Sequence, residues 1–394
     1  MVPAAGTVRI PFGSAAHRFA TDRANGHPRT GIDVDLTPDL ARAGGVDVHA
    51  HYFGEDLAAA FASTDDARWP RLVIEGATGT LMLGDSPFRT VRSTLWDVDE
   101  RIRELDAAGI ALQVISPVPV MLAYWADPVS AVRYAAATND SVASAVERSH
   151  GRLVGLGTVP LPHIDAAIAE LHRAVLELGL CGVEIGTQIS GHDLDSPTLD
   201  PFFAAVQALG ATLFIHPTDG GGGVVRRDGQ PYDFGLGMTT DTAIAATSLV
   251  FGGVLDRHPN LRIFLAHGCG TFAWTYPRLR LGAHIWHQAD TKELDRLTRS
   301  LWVDSLVFDP EHLRLLVHRF GPDRLVLGTD YPFIAGQLDD ARSFIGRALT
   351  AGALTTNQAI LLLDDNAYAL LGIAPSSRGG RSRASGAHAI GVLE

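Results

Sequence analysis

The chain has 394 residues, 46% hydrophobic and 19% charged, enough for one large domain or two ordinary ones with a sizeable core. A formal net charge of −12 argues against nucleic acid or an anionic membrane surface as a partner, but leaves room for an anionic small substrate met by a local arginine. Two cysteines, Cys181 and Cys269, make no disulfide framework and point to a reducing cytoplasm. No basic start followed by an apolar core marks a signal peptide, and the apolar runs are strand-length, short of the ~20 residues a membrane span needs.

Residues 1–44 are rich in Ala, Gly, Pro, Arg and Asp without a period, and predict an N-terminal extension that is at least partly disordered. Val46 to His51 follows, an apolar–polar alternation that reads as a buried strand placing His49 and His51 on one face. Residues 54–95 interrupt the simple strand–helix rhythm. Within them Arg71 to Gly84 has the pattern of a hairpin, so the stretch is expected to form a small inserted subdomain that caps a pocket.

From Trp96 the pattern is regular. Asp97 caps a helix that Gly109 ends, and strands are expected at 111–116, 153–159, 182–187, 212–216, 261–267, 301–305 and 324–330. Helices are expected between them and over 338–350 and 355–371, with a Gly-rich loop at 219–237. Residues 375–394, mostly Ser, Arg and Gly, predict a flexible tail. Counted from Val46, eight β-α units lie within 45–374, the arithmetic of a (β/α)8 TIM barrel; an open doubly wound sheet is the alternative.

The barrel is preferred because polar residues recur at the C-terminal ends of strands one, five, six and eight: His49 and His51, His216, His267, and Asp330. In a barrel these ends converge on one mouth. One histidine at a strand end is ordinarily structural; four with an aspartate are hard to explain by packing. Nitrogen and carboxylate ligands without thiolate suit zinc, with manganese or iron as further candidates.

These motifs resemble the amidohydrolase superfamily in its "amidohydrolase 2" branch, over nearly all of 45–372, and within it the 2-amino-3-carboxymuconate-6-semialdehyde decarboxylases. The resemblance is carried by Phe88 to Asp106, Pro119 to Ala126, Val154 to Pro160, Gly186-Thr187, Ala266-His267-Gly268 and Gly328 to Phe333. It implies His49, His51, His216 and Asp330 as ligands of one divalent metal, zinc first and manganese second. It implies His267 as the catalytic histidine beside that metal and Arg89 as a substrate-carboxylate anchor. It implies a homodimer in which Arg278 reaches the neighbouring subunit's site. Strand four carries Glu184 and no lysine at 181–187, so one metal is expected rather than two. Thr218, where the resembled enzymes have tryptophan, and the loop at 220–229 are departures on the substrate side.

Trp125, Trp274 and Phe333 are candidates to stack on a flat substrate. The expected activity is non-oxidative decarboxylation of an unsaturated or aromatic, amino- or hydroxy-substituted carboxylic acid. A hydrolase or hydratase acting on a C–C, amide or lactone bond is the alternative, and a non-catalytic metal-binding scaffold is the third.

Overall fold

The computed structural model describes residues 43–60, 68–218, 225 and 229–374. Nearly all of the expected N-terminal extension, the tail at 375–394 and much of the Gly-rich loop lie outside them.

Among the described residues, eight parallel strands form one sheet in the order β1 (Val46–Tyr52), β5 (Leu112–Pro117), β6 (Leu153–Gly157), β7 (Gly182–Gly186), β10 (Thr212–His216), β11 (Arg262–Leu265), β12 (Trp302–Asp304) and β13 (Leu325–Val326). The last returns to the first: Val48 N–H donates to the Leu327 carbonyl at 2.9 Å and His51 N–H to that of Tyr331 at 2.7 Å. The architecture is the expected TIM barrel.

Each strand divides two apolar layers. Leu213, Ile215, Ile263, Leu265 and Val303 pack outward in the main core shared with the helices. Val46, Val48, Phe214, Phe264, Trp302 and Val326 fill the interior with Ala367, Leu370 and Leu371. Helix ends follow local chemistry. The Asp97 and Asp309 side chains cap Val98–Ala108 and Pro310–Phe320, and Gly109 ends the first of these with a left-handed backbone (φ 68°).

The residues expected to give a hairpin, 71–84, form β2 (Arg71–Glu75) and β3 (Thr78–Leu83), and a third antiparallel strand, β4 (Ser86–Arg92), pairs with β3. The third was missed because Pro87 and Asp85 read as turn residues. Leu72, Leu81 and Val91 of this sheet pack with Trp96, Val118 and Met121, so it sits on the segment that follows β5. A two-stranded ribbon, β8 (Gln188–Ile189) and β9 (His192–Asp193), lies beyond β7.

Strict alternation fails in β1, where the register against β5 shifts between Asp47 and Ala50. Val48 joins the interior cluster, and its neighbour His49 also packs 5.1 Å from Phe214. Asp47 instead accepts hydrogen bonds from Gln113 Nε2 and Thr329 Oγ1, both at 2.7 Å. The irregularity re-aims two imidazoles inward, a recurrent use of bulges beside functional sites.

Behind the strand lies a wholly buried arginine. Arg101 donates to the Thr94 carbonyl at 3.0 Å, Gln113 Oε1 at 2.7 Å and the His51 carbonyl at 2.6 Å. Arg101→Met would fill the space yet leave three buried acceptors bare, each costing ~1–3 kcal/mol. Denaturant unfolding is expected to show a loss of about 3 kcal/mol or more; a loss under ~1 kcal/mol would mean that water replaces the guanidinium.

Candidate metal centre

His49 and His51 come from the end of β1, His216 from the end of β10, and Asp330 from the turn after β13. One ligand atom from each lies within 4.8 Å of the others. All three imidazole rings stand 4.9–5.2 Å apart, centroid to centroid. Asp330 Oδ1 is 3.2 Å from His51 Nε2 and 3.7 Å from His49 Nε2.

Each ring is held by its other nitrogen. His49 Nδ1 lies 2.7 Å from Asp304 Oδ2, His51 Nδ1 3.0 Å from the Pro117 carbonyl, and His216 Nδ1 2.7 Å from the Pro217 carbonyl. Carbonyl and carboxylate oxygens only accept, so each Nδ1 carries the proton and each Nε2 presents a lone pair. The Nε2 atoms of His49, His51 and His216 are buried with no hydrogen-bond partner among the described residues. Three orphaned lone pairs and a carboxylate aimed at one point are the donor set a divalent cation needs, and the bonds behind them orient ligands from outside. The residues fit the metal expected for them.

Electrostatics agree. Burial lowers the His51 pKa, and it lowers that of His216 well below the usual value, helped by the neighbouring imidazoles. Both rings stay neutral and able to ligate. Burial also acts against the His49 charge, but the Asp304 hydrogen bond and the Asp330 charge outweigh it and raise its pKa. Asp330 is lowered: burial opposes its charge, and the close approach of His51 with the surrounding imidazoles prevails. Glu184, buried in the middle of β7 with Oε2 3.8 Å from His51 Nδ1, is pushed up to about 8 by desolvation.

His267 sits beside the cluster, 5.0 Å from His216 and 5.4 Å from His49 between ring centroids. Neither ring nitrogen has a partner among the described residues. Burial pushes its pKa down to about 4. His267 and Asp330 both hold left-handed backbones with φ 56°, so each is fixed in a conformation that most residues avoid. At Gly328 a Cβ would meet Asp304 Cβ at 2.7 Å and His49 Cβ at 3.0 Å, so only glycine lets the last strand approach.

Arg89, on β4, reaches the same mouth. It donates to the Phe333 carbonyl at 2.8 Å and lies 4.7 Å over the Phe333 ring, which in turn is 5.6 Å from the His51 ring. Trp125 lines a mouth cavity of about 810 Å³ with Tyr124, Gln188 and Thr218, and Arg68 covers its ring at 4.0 Å. Two residues fall elsewhere. Arg278 and Trp274 are exposed on the helix Phe272–His287, and no described residue bonds the Arg278 side chain. Trp274, 80% exposed, cannot stack on a substrate in its own chain's site.

The residue that sequence reasoning missed is Asp304, which ends β12 and is wholly buried. Besides His49 it accepts from the His267 N–H at 2.9 Å and the Gly268 N–H at 2.7 Å. Its signal was the same as for the others, a polar residue closing an apolar strand, but one aspartate after Trp-Val lacked the company of a histidine.

The chain belongs to the amidohydrolase family, whose model matches residues 46–373. It is 37% identical over 306 residues to a 2-amino-3-carboxymuconate-6-semialdehyde decarboxylase of Dictyostelium discoideum, covering 75% of this chain and 82% of the relative. Among solved structures, the IDCase of Metarhizium anisopliae in apo form superposes with TM-score 0.71 at 24% identity, over 84% of this chain and 98% of the other. A dihydroxybenzoic acid decarboxylase of a Polaromonas species, solved with bound manganese and 2-nitroresorcinol, superposes with TM-score 0.64 at 22% identity, over 84% and 97%.

Asp304→Asn would keep the shape and lose the charge that holds the His49 proton on Nδ1. Metal affinity is expected to fall by ~10–100-fold, the usual effect of removing a carboxylate behind a ligating histidine. Competition with a chelator measures it; unchanged affinity would show that His49 needs no such support.

Proposed function

We propose that the chain is a metal-dependent carboxy-lyase that removes carbon dioxide, without oxidation, from an unsaturated or aromatic acid carrying an amino or hydroxyl group. One observation carries the reading: three buried Nε2 lone pairs and Asp330 converge on one point, with an unpartnered His267 alongside. The 37%-identical relative is a decarboxylase, and its substrate, an unsaturated amino-substituted acid, suggests the substrate class.

His49, His51, His216 and Asp330 would hold one divalent ion, zinc by donor preference, with manganese the competitor that the Polaromonas structure contains. Bound there, the ion supplies Lewis-acid polarisation of substrate oxygens. The remaining work belongs to this chain. Arg89 clamps the carboxylate with paired N–H donors, and Phe333 and Trp125 flank the flat substrate. His267, neutral at rest because burial depresses it, takes a proton from water at the mouth, the hydroxide left behind returning to solvent, and hands it to the carbon whose bond to the departing carboxylate breaks. The electron pair of that bond stays on the carbon and takes the proton, and carbon dioxide leaves. We read residues 54–95 as the cap over this mouth, with Arg89 as its contribution to the site. The two free cysteines support a cytoplasmic home, and no described helix is long and apolar enough to cross a membrane.

The test pairs two variants. His267→Ala is expected to retain about one ion per chain, as the cluster of four implies, and to lose ~10²–10⁴-fold in rate. His216→Ala is expected to lose metal and activity together. Carbon dioxide release from a panel of aminomuconates and hydroxybenzoates separates decarboxylation from hydrolysis or hydration at the same centre. Full activity in a metal-free parent protein would sink the proposal.

We also propose a homodimer. The helix Phe272–His287 exposes Trp274, Leu281, Ile285 and Trp286, each at least 57% open, around Arg278. Residues 274, 278, 281 and 285 fall on one helical face, an apolar seam of the kind that pairs with another surface. Arg278 in that seam would complete the partner's pocket. Mixing inactive Arg278→Ala and His267→Ala proteins, with subunit exchange, is expected to restore about a quarter of parental activity, since each mixed dimer has one intact site. No recovery despite proven exchange rules out the shared site.

A further inference from the structure

On the other side of that helix lies a second cavity, of about 260 Å³, walled by Phe272–His287, Thr291–Thr298 and Pro310–Phe320. It is smaller than the ~300–1,000 Å³ of pockets for drug-sized ligands. Its lining includes Arg280, Arg299 and Arg319 against a single carboxylate, Asp295. Asp295 is already engaged: it accepts from Tyr276 Oη at 2.7 Å and from an Arg280 terminal nitrogen at 3.0 Å.

Donors remain over. Arg319 lies 4.6 Å from the Tyr276 ring and gives only Nε, to the Ala273 carbonyl at 3.2 Å. The Arg299 guanidinium bonds no described residue. Thr298 lines the same cavity, 1% exposed, with its Oγ1 turned to the Tyr276 hydroxyl. Partial burial depresses the Arg319 pKa; Tyr276 and Asp295 work against that, while Arg280 and Arg299 lower it further. A neighbouring groove of about 800 Å³ shares Asp295 and Arg299 and adds Lys292, while its Arg324 pairs with Asp323 at 2.8 Å. On a chain of net charge −12, two guanidiniums in one concave site without a carboxylate partner among the described residues call for an anion.

We propose that this cleft binds a small oxyanion, a phosphate or a carboxylate, clamped between Arg299 and Arg319. The site is separate from the metal centre. Its occupant would tie the helix that bears Arg278 to the two helices beside it.

Calorimetric titration of the metal-loaded, full-length protein tests it, one arm with inorganic phosphate and one with succinate, in ~0.15 M chloride to screen diffuse attraction. Saturable millimolar binding of at least one probe, near one per chain, is expected; whichever binds tighter names the source of the chemistry. Arg299→Ala is the deciding variant, because its exposed side chain bonds nothing the fold needs; affinity should fall about tenfold or more. His216→Ala, which empties the proposed metal centre, should leave binding unchanged and so separates the two readings. No saturable binding in either arm overturns the proposal. So does binding that Arg299→Ala leaves intact, or binding that His216→Ala abolishes.

Discussion

The Asp304 carboxylate is the constraint on which the site depends. One oxygen faces His49 Nδ1 and the His267 N–H; the other takes the Gly268 and Leu306 N–H groups. A single buried charge thus decides which His49 nitrogen is free, where the β11 chain turns, and how His267 is presented. Four donors, with the imidazole charges, hold Asp304 below the usual carboxylate range despite complete burial. Its removal would disturb a ligand and the candidate base at once, through bonds that touch neither substrate nor metal.

A second network supports the first from outside the barrel. Arg101 holds Gln113 and the His51 carbonyl; Gln113 holds Asp47; Asp47 holds Thr329 and the His49 N–H. The chain of bonds spans β5, β1 and the start of the 328–333 turn, the segments that carry His49, His51 and Asp330. The register shift in β1 makes it possible, because it lets Asp47 face outward while Val48 and His49 both face in. Positive-φ backbones at His267 and Asp330 are tolerated because this surrounding order over-determines them.

The eight-fold strand–helix rhythm and the four residues of the candidate metal centre were legible because the strands that carry them are short apolar runs closed by polar residues, a pattern that period and punctuation reveal. Three features were not. The bulge in β1 leaves no trace in an alternating sequence, since Asp47 and His49 look equivalent until register is known. Strand β4 was hidden by Pro87 and by a burial pattern with one buried residue, Val91. Asp304 has the same local grammar as His216 and differs only in what converges on it, which is a property of the closed barrel. Arg278 illustrates the opposite limit: resemblance implies a role for it, yet it meets no described residue of the candidate site, and such a role would need a second copy.

Two carboxyl groups near the imidazoles show why the site needs a cation and can still receive an anion. Asp330 faces three imidazoles and stays ionised; Glu184 faces almost none of that help, and burial pushes it up to about 8. Burial thus works against a negative charge on Glu184 beneath the mouth. Were it ionised, a divalent ion held by Asp330 beside Asp304 would be over-neutralised, and a carboxylate substrate would be repelled. With Glu184 neutral, the charge of a divalent ion bound there would offset the two aspartates, leaving Arg89, which the Asp330 field reaches, as a cation beside the Phe333 turn. The net charge of −12 would then matter little to an anionic substrate, because the local field at the mouth outweighs the distant one.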